Sequence, residues 1–454
     1  MVYMAADNKK ELDLTEGTVG ERIMHFIWPV LLASIFQQFY SLTNQLIVGN
    51  YVSKEALSAV SACSVITNIF TFFFGGIGLG SGIVVSHAYG ARKQDRLKEA
   101  VDTSLLLSFF GGILLTIMSE ATVGLMMRLI NINETLYPIA YSYLRVYLIG
   151  NMAVFMYNMC FYIFRSIGDS KHPLYYLILS SIINLILGVI FVRVFHMNVI
   201  GTALATIISQ FIVDILCVRL MVVNPILKVK LNQLKMNWKL VGEICRLGVP
   251  AGIQNTLIAM AGATVQSYTN LFSNEIIAGL GVAQRVTGYA QVPLHAFTTV
   301  TTSYVGQNYG AGKYDRVRDG LKYCLRLSNI VSLSLSRLTF IFAPQLVAMF
   351  NKDPEVIRYG VEMVRFTVFS TVFIGWSHIY NGVCRGAGNV RFPLIIAVVT
   401  QVIIRYLYVT IAFKIRFNVL DIYVANCIGY VFAGVTAFLY FRFSKWTLNN
   451  HLRV

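Results

Sequence analysis

Charged residues are scarce in this chain, because only 13% of its 454 residues are Asp, Glu, Lys or Arg. A soluble globular domain carries roughly 25% of such residues, so the sequence supplies too little polar surface for a water-soluble fold. Strand-like alternation of polar and apolar residues is absent as well, which argues against a membrane barrel. The composition therefore predicts a helical membrane protein.

Paired cysteines and clustered histidines are also lacking. The seven cysteines occur singly, without a CxxC motif, so we expect free buried thiols and neither disulfides nor a metal site. The seven histidines are isolated, and no loop is long enough to form an extramembrane domain. An enzyme embedded in the membrane would need His or Asp clusters near the interface. The sequence therefore predicts no catalytic residues, no enzyme activity and no cofactor.

Long hydrophobic runs dominate what is present. Hydrophobic residues make up 56% of the chain, and the mean hydropathy is +0.64. A membrane-spanning helix needs roughly 20 mainly apolar residues, and this pattern recurs about twelve times. The predicted spans are 23–48, 56–86, 101–127, 136–164, 173–195, 199–222, 245–272, 276–305, 321–347, 356–383, 393–415 and 420–443.

Cations cluster in every second loop, and the formal net charge is +16. The clusters include segments 89–96, 224–240 and 309–316, and Arg165 is assigned to another loop on the same side. Cytoplasmic loops are enriched in Lys and Arg, so both termini are predicted to lie in the cytoplasm. Because these clusters are short and lie between hydrophobic spans, nucleic acid is not an expected partner.

An internal repeat organises the chain. The segment Tyr89–Arg96 (YGARKQDR) returns at Tyr309–Arg316 (YGAGKYDR), and Phe164–Leu174 returns at Cys384–Leu394, both with an offset of 220 residues (89 to 309, 164 to 384). Each half holds six spans, an even number. Both halves must then enter the membrane in the same direction, related by a pseudo-two-fold axis along the membrane normal.

The predicted fold is thus all-α and integral to the membrane, with twelve transmembrane helices in two six-helix bundles. Residues 1–22 are predicted as a cytoplasmic N-terminal segment, 23–222 as the N-lobe and 245–443 as the C-lobe. The basic segment 223–244 is too polar to span and is predicted to link the lobes. Residues 444–454 are predicted as a cytoplasmic tail.

Polar side chains repeat at helical spacing inside several spans. Such groups are costly in hydrocarbon, so they normally face the bundle interior or a water-filled cavity. In the sixth span Thr202, Thr206, Gln210 and Asp214 form a ladder with a four-residue period. Hydrogen bonding between helices is the alternative role for such residues. The residues predicted to line a substrate or ion cavity are Gln37, Tyr40, Asn44, Tyr143, Asn158, Asn184 and Thr206.

The loop motifs resemble those of the MATE (multidrug and toxic compound extrusion) family, in particular its DinF-like bacterial branch. GQNYGAG at 306–312 is similar to the motif after the eighth span, and RGAG at 385–388 before Pro393 resembles RGxG…P. The resemblance implies a V-shaped pair of lobes in the bacterial plasma (inner) membrane. It also implies a monomer that exports small organic, often cationic and aromatic compounds in exchange for sodium ions or protons, in contact with membrane lipids.

Two positions depart from the pattern of that branch, because Asn44 and Gly188 stand where aspartates are expected. An Asn amide cannot titrate, although neutral oxygens can coordinate a cation. The remaining candidates for handling a proton or ion are Asp214, in the cytoplasmic third of the sixth span, and His378. A structural ion pair between Asp214 and Arg219 is the alternative.

Two other transporter classes are alternatives to a secondary active multidrug antiporter. A flippase for lipid-linked or other amphipathic substrates, from the related superfamily, often lines its cavity with many cations, whereas these polar stripes are mostly neutral. A major facilitator transporter would show a second Gly-Arg-Arg in the repeated loop and would lack the RGxG…P segment. An antiporter is therefore the predicted function.

Overall fold

The computed structural model describes residues 13–129 and 132–444, with the side chains of all of these except 41–47, 49–51, 54 and 129. Within these residues the chain is helical and contains no β-strand. The predicted all-α fold class is confirmed.

Twelve helical passes follow one another in the described part of the chain. Those of the N-terminal half are α1 (Val19–Tyr51), α2 (Lys54–Gly90), α3 (Gln94–Leu129), α4 (Tyr137–Ile149 and Asn151–Ser166), α5 (Lys171–Val194) and α6 (Asn198–Val223). Those of the C-terminal half are α7 (Trp238–Thr269), α8 (Asn274–Gly310), α9 (Tyr314–Ile341), α10 (Pro354–Thr367 and Thr371–Gly386), α11 (Arg391–Ile415) and α12 (Val419–Phe443).

Composition alone identifies only part of this set. Among the described residues, seven helices are long and apolar enough to cross a membrane, and the bent α4 makes eight. The other four, α7 to α10, are the repeat counterparts of α1 to α4 and carry more polar side chains. The repeat also includes breaks in equivalent helices. The fourth helix of the first half, α4, bends by 50° at Gly150, and its counterpart α10 is interrupted by a 3-10 turn at Val368–Ser370.

Short polar residues begin several of the helices. The side chains of Ser53, Asn237, Asp353 and Asn418 accept hydrogen bonds from backbone N–H groups in the first turns of α2, α7, α10 and α12. Such caps satisfy backbone donors that have no partner inside the helix. Because Asn237 caps α7, this helix begins at Trp238, within the segment predicted as a linker.

The two lobes approach closely along α2. A Cβ atom at Gly76 would overlap the backbone of Gly252, and one at Gly248 would lie 2.6 Å from the Cα atom of Ile77. A Cβ atom at Gly90 would overlap the carbonyl group of Gln307. Only glycine permits such backbone approach. These contacts lie in the C-terminal half of α2. The lobes therefore meet at the end of the helix bundle that is near the linker.

The segment preceding α1 bridges both lobes at this same end. The Leu14 N–H donates to Gln307 Oε1 at 3.1 Å, and Asn308 Nδ2 donates to the Leu14 carbonyl at 3.1 Å. On the N-lobe side, Arg92 forms an ion pair with Glu16. The described part of the N-terminal segment, the two repeated loops and the linker therefore lie on one face of the protein.

Candidate functional site

The N-lobe contains a cavity of about 480 Å³ between α1, α2, α4 and α6. Five of the residues predicted from helical spacing line it, namely Gln37, Tyr40, Tyr143, Asn158 and Thr206. Its lining consists of amide, hydroxyl, aromatic and aliphatic side chains with one arginine, and none of the described lining residues is a carboxylate. The cavity therefore offers hydrogen bonds and ring surfaces but no fixed negative charge.

Aromatic rings stand in pairs along the α4 face of this cavity. The ring centroids of Tyr143 and Tyr147 are 6.0 Å apart, and those of Tyr157 and Phe161 are 4.1 Å apart. Ring faces of this kind stack on flat compounds and attract organic cations. A small aromatic molecule, neutral or cationic, fits the chemistry of this wall.

The α6 face carries the polar ladder. Thr202, Thr206 and Gln210 all line the cavity, and Asp214 follows one helical turn (about 5.4 Å) farther along the helix. Asn184 of α5 is only 2% exposed and donates from Nδ2 to Thr206 Oγ1 at 3.1 Å. Asn184 therefore lies behind the wall and supports Thr206, whereas helical spacing alone predicts that it lines the cavity.

Asp214 lies beneath this wall without a counter-charge. Its side chain is 5% exposed, and neither carboxyl oxygen has a hydrogen-bond partner among the described residues. The alternative pairing with Arg219 is therefore not formed in this structure. An ionisable group of this kind inside a membrane protein is a candidate for proton or ion handling.

Asn44 belongs to α1, but its side chain lies outside the described residues. Its predicted place in the cavity stays a prediction.

A second cavity, of about 440 Å³, lies in the C-lobe between α7, α8, α10, α11 and α12. His378 lines it, with Nδ1 2.8 Å from the Thr298 hydroxyl and its ring 4.5 Å from that of His295. Because Asp214 and His378 lie in different lobes, they cannot form one ion site in this conformation.

A family model described as MatE matches residues 29–190 and, a second time, residues 250–411. The chain belongs to the MatE family. The two matches confirm the predicted repeat, since each begins in the first helix of one lobe. Membership of this family also excludes the major facilitator alternative.

Curated relatives match most of the length of the chain. The probable multidrug resistance protein YpnP of Bacillus subtilis is 26% identical over 441 residues, covering 96% of this chain and 98% of that protein. The probable multidrug resistance protein YoeA of the same organism is 28% identical over 393 residues, covering 85% of each. Both relatives are named as probable multidrug resistance proteins.

Solved MATE structures share the fold of this MatE protein. One described as the outward-facing conformation of a multidrug resistance MATE family transporter of the MOP superfamily has a TM-score of 0.88 at 21% identity, covering 95% of this chain and 97% of that one. Another, described as MATE in complex with MaL6, has a TM-score of 0.89 at 20% identity, covering 95% and 97%. This similarity confirms the twelve-helix, two-lobe architecture.

Arg165 is a lining residue of the MatE N-lobe cavity that we did not expect. The charge pattern assigned it to a cytoplasmic loop, yet it lines the cavity, with its guanidinium carbon 6.0 Å from the centroid of the Phe161 ring. The repeat contains a signal for this position, since the offset of 220 residues (165 to 385) relates Arg165 to Arg385, which lines the C-lobe cavity.

Proposed function

We propose that this protein is a secondary active multidrug exporter that moves small amphipathic aromatic compounds, organic cations among them, out of the cell. The observation that carries the proposal is the N-lobe cavity of about 480 Å³ between spanning helices, lined by neutral polar and aromatic groups and one arginine, Arg165. Cavities of roughly 300–1,000 Å³ suit drug-sized ligands. The names of the Bacillus subtilis relatives, probable multidrug resistance proteins, support the same function.

Binding in the N-lobe would rest on ring stacking and hydrogen bonds. Tyr143, Tyr147 and Tyr157 offer ring faces, and Gln37 and Asn158 offer amide groups. An organic cation is then held by cation–π attraction, without an ion pair. Because such contacts depend little on the exact outline of the ligand, this wall suits substrates of varied shape.

The position of the contacts between the lobes supports an alternating-access mechanism. The close contacts named above lie near the linker, whereas the α2 residues that line the cavity, between Leu57 and Thr71, lie toward the other end of the helix. With the linker in the cytoplasm, this conformation releases substrate to the outside. Both cavities are complete within one chain, so a monomer suffices for the cycle.

The orientation has a direct test. Single cysteines introduced at Lys93 and Lys313, in the two repeated loops, should resist an impermeant thiol reagent added to intact bacterial cells, because positive loops remain inside. A cysteine at Lys352, in the loop between α9 and α10 on the opposite face, should react and serves as the control. Labelling of the first two positions with Lys352 protected would reverse the orientation.

Transport itself is tested in sealed vesicles. The purified protein is reconstituted, and efflux of a fluorescent aromatic cation is followed under a proton gradient or a sodium gradient, each alone. Efflux driven by one gradient and abolished by its collapse supports an antiporter. Absence of gradient-driven movement of aromatic cations and neutral aromatic compounds alike would contradict the proposed function.

Asp214 is the proposed proton-handling residue of the N-lobe. If protons drive export, Asp214→Asn should lower proton-driven efflux at least about tenfold, because an amide cannot take up a proton in a deprotonation cycle. Asp102→Asn, which changes another buried carboxyl of the same lobe outside the cavity, is the control and should retain efflux.

His378 is the remaining candidate for proton handling. Proton-driven efflux should fall further when His378→Gln is combined with Asp214→Asn. If a strict proton requirement survives the double substitution, neither residue carries the proton. If sodium alone drives efflux, and both variants keep it, the cation is bound by neutral oxygens.

A further inference from the structure

Arg385 is a buried cation in the wall of the C-lobe cavity. Its side chain is 9% exposed, and Nη2 donates to Gln254 Oε1 at 2.7 Å. Its Nε atom has no hydrogen-bond partner among the described residues. The guanidinium thus contacts a neutral amide and keeps at least one donor unused.

Within the described part of the chain, no acidic group forms an ion pair with Arg385. None of the described residues that line the C-lobe cavity is Asp or Glu. Two acids of this lobe have other partners, since Asp421 pairs with Arg416 and Asp353 caps α10. A buried charge is normally paired, so a cation with an open cavity before it favours an anionic ligand.

Further polar side chains line the cavity together with Arg385. His378 holds the Thr298 hydroxyl through Nδ1, which leaves Nε2 on the opposite side of the ring. His295 and Asn381 also line the cavity. One guanidinium among neutral polar groups matches a single negative charge shared by two oxygens, which is the chemistry of a carboxylate.

The rest of the wall is apolar. Ile258, Ala259, Ile396 and Ala433 line the same cavity, and Phe72 of α2 reaches it from the N-lobe. The volume of about 440 Å³ exceeds what a small inorganic anion needs and lies in the range of organic ligands.

We propose that the C-lobe cavity binds amphipathic organic carboxylates, with the carboxylate at Arg385 and the hydrocarbon part against the apolar wall. This site is separate from the N-lobe cavity and does not depend on the function proposed for it.

The test measures binding to the full-length protein in lipid nanodiscs by calorimetry, with naphthalene carboxylate and the neutral naphthalene carboxamide as matched probes. The carboxylate should bind at least about tenfold more tightly than the carboxamide. Gln254→Glu should remove this preference, because the new carboxylate occupies the position of Oε1 beside Arg385 and acts as an internal counter-ion. The carboxamide should bind the variant as it binds the parent.

Two control variants and one alternative anion, chloride, complete the test. Arg246→Gln, at an exposed arginine of the same helix as Gln254, should keep the preference for the carboxylate. Asn68→Trp, which fills the N-lobe cavity, should also keep the preference for the carboxylate. Loss of transport through the N-lobe is then distinguishable from loss of carboxylate binding in the C-lobe. Equal affinity for the two probes, an unchanged preference in Gln254→Glu, or saturable binding of chloride without binding of the carboxylate would overturn the proposal.

Discussion

Export falls at least about tenfold when Asn68 is replaced by tryptophan, while the amount of inserted protein stays the same. Asn68 lies on α2 and is exposed into the N-lobe cavity. An indole at this position fills space that the substrate needs, and it points into the cavity and not into the packed interior between the helices. The measurement is the initial rate of efflux from reconstituted vesicles at equal protein amount.

The neighbouring position supplies the control. Ile69 is 36% exposed on the same helix and is not part of the cavity lining. Ile69→Trp should therefore export at the parental rate. If Asn68→Trp is normally inserted and equally active, substrate does not pass through the N-lobe cavity.

A leucine at Gly248 stops transport by keeping the lobes apart near the linker. A Cβ atom there would lie 2.6 Å from the Cα atom of Ile77, and backbone atoms cannot yield as a flexible side chain does. The conformation with the linker end closed is then inaccessible. We expect efflux to fall at least about tenfold, since one of the two states required for alternating access is lost.

Gly262 of the same helix is the matched control for this change. No heavy atom outside the local helix lies within 4 Å of a Cβ atom built there, so Gly262→Leu should be tolerated. Thermal unfolding of both variants shows whether they remain folded. Full activity in Gly248→Leu would show that the close contact between α2 and α7 is not needed for export.

The helix count was predictable from the sequence because hydrophobic runs and the repeat support each other. The polar helices α7 to α10 fail a test of apolarity, and their counterparts α1 to α4 identify them. Helix ends were less predictable. Trp238 begins α7 earlier than the hydrophobic run does, because the Asn237 cap stabilises a first turn that extends beyond the apolar stretch.

The sequence predicts which side of each helix faces inward, but not which of the inward side chains is exposed to the cavity. Helical periodicity places Thr206 and Asn184 on inward faces, but it cannot tell that Asn184 is covered by Thr206. The rule that positive residues lie in cytoplasmic loops assigns Arg165 to such a loop. It counts a cation near the end of a span and does not show where the side chain lies. The residues predicted to line a cavity all belong to the N-lobe, whereas a second cavity in the C-lobe is lined by five helices of that lobe.

Alternating access is tested most directly by distance measurements between pairs of spin labels. One pair joins Lys93 and Asp315 near the linker, and the other joins Glu55 and Glu275 at the starts of α2 and α8, all at exposed positions. When the driving ion gradient is applied with substrate present, the first distance should increase while the second decreases. If substrate is exported while both distances stay constant, or while both change in the same direction, the protein does not work by alternating access of its two lobes.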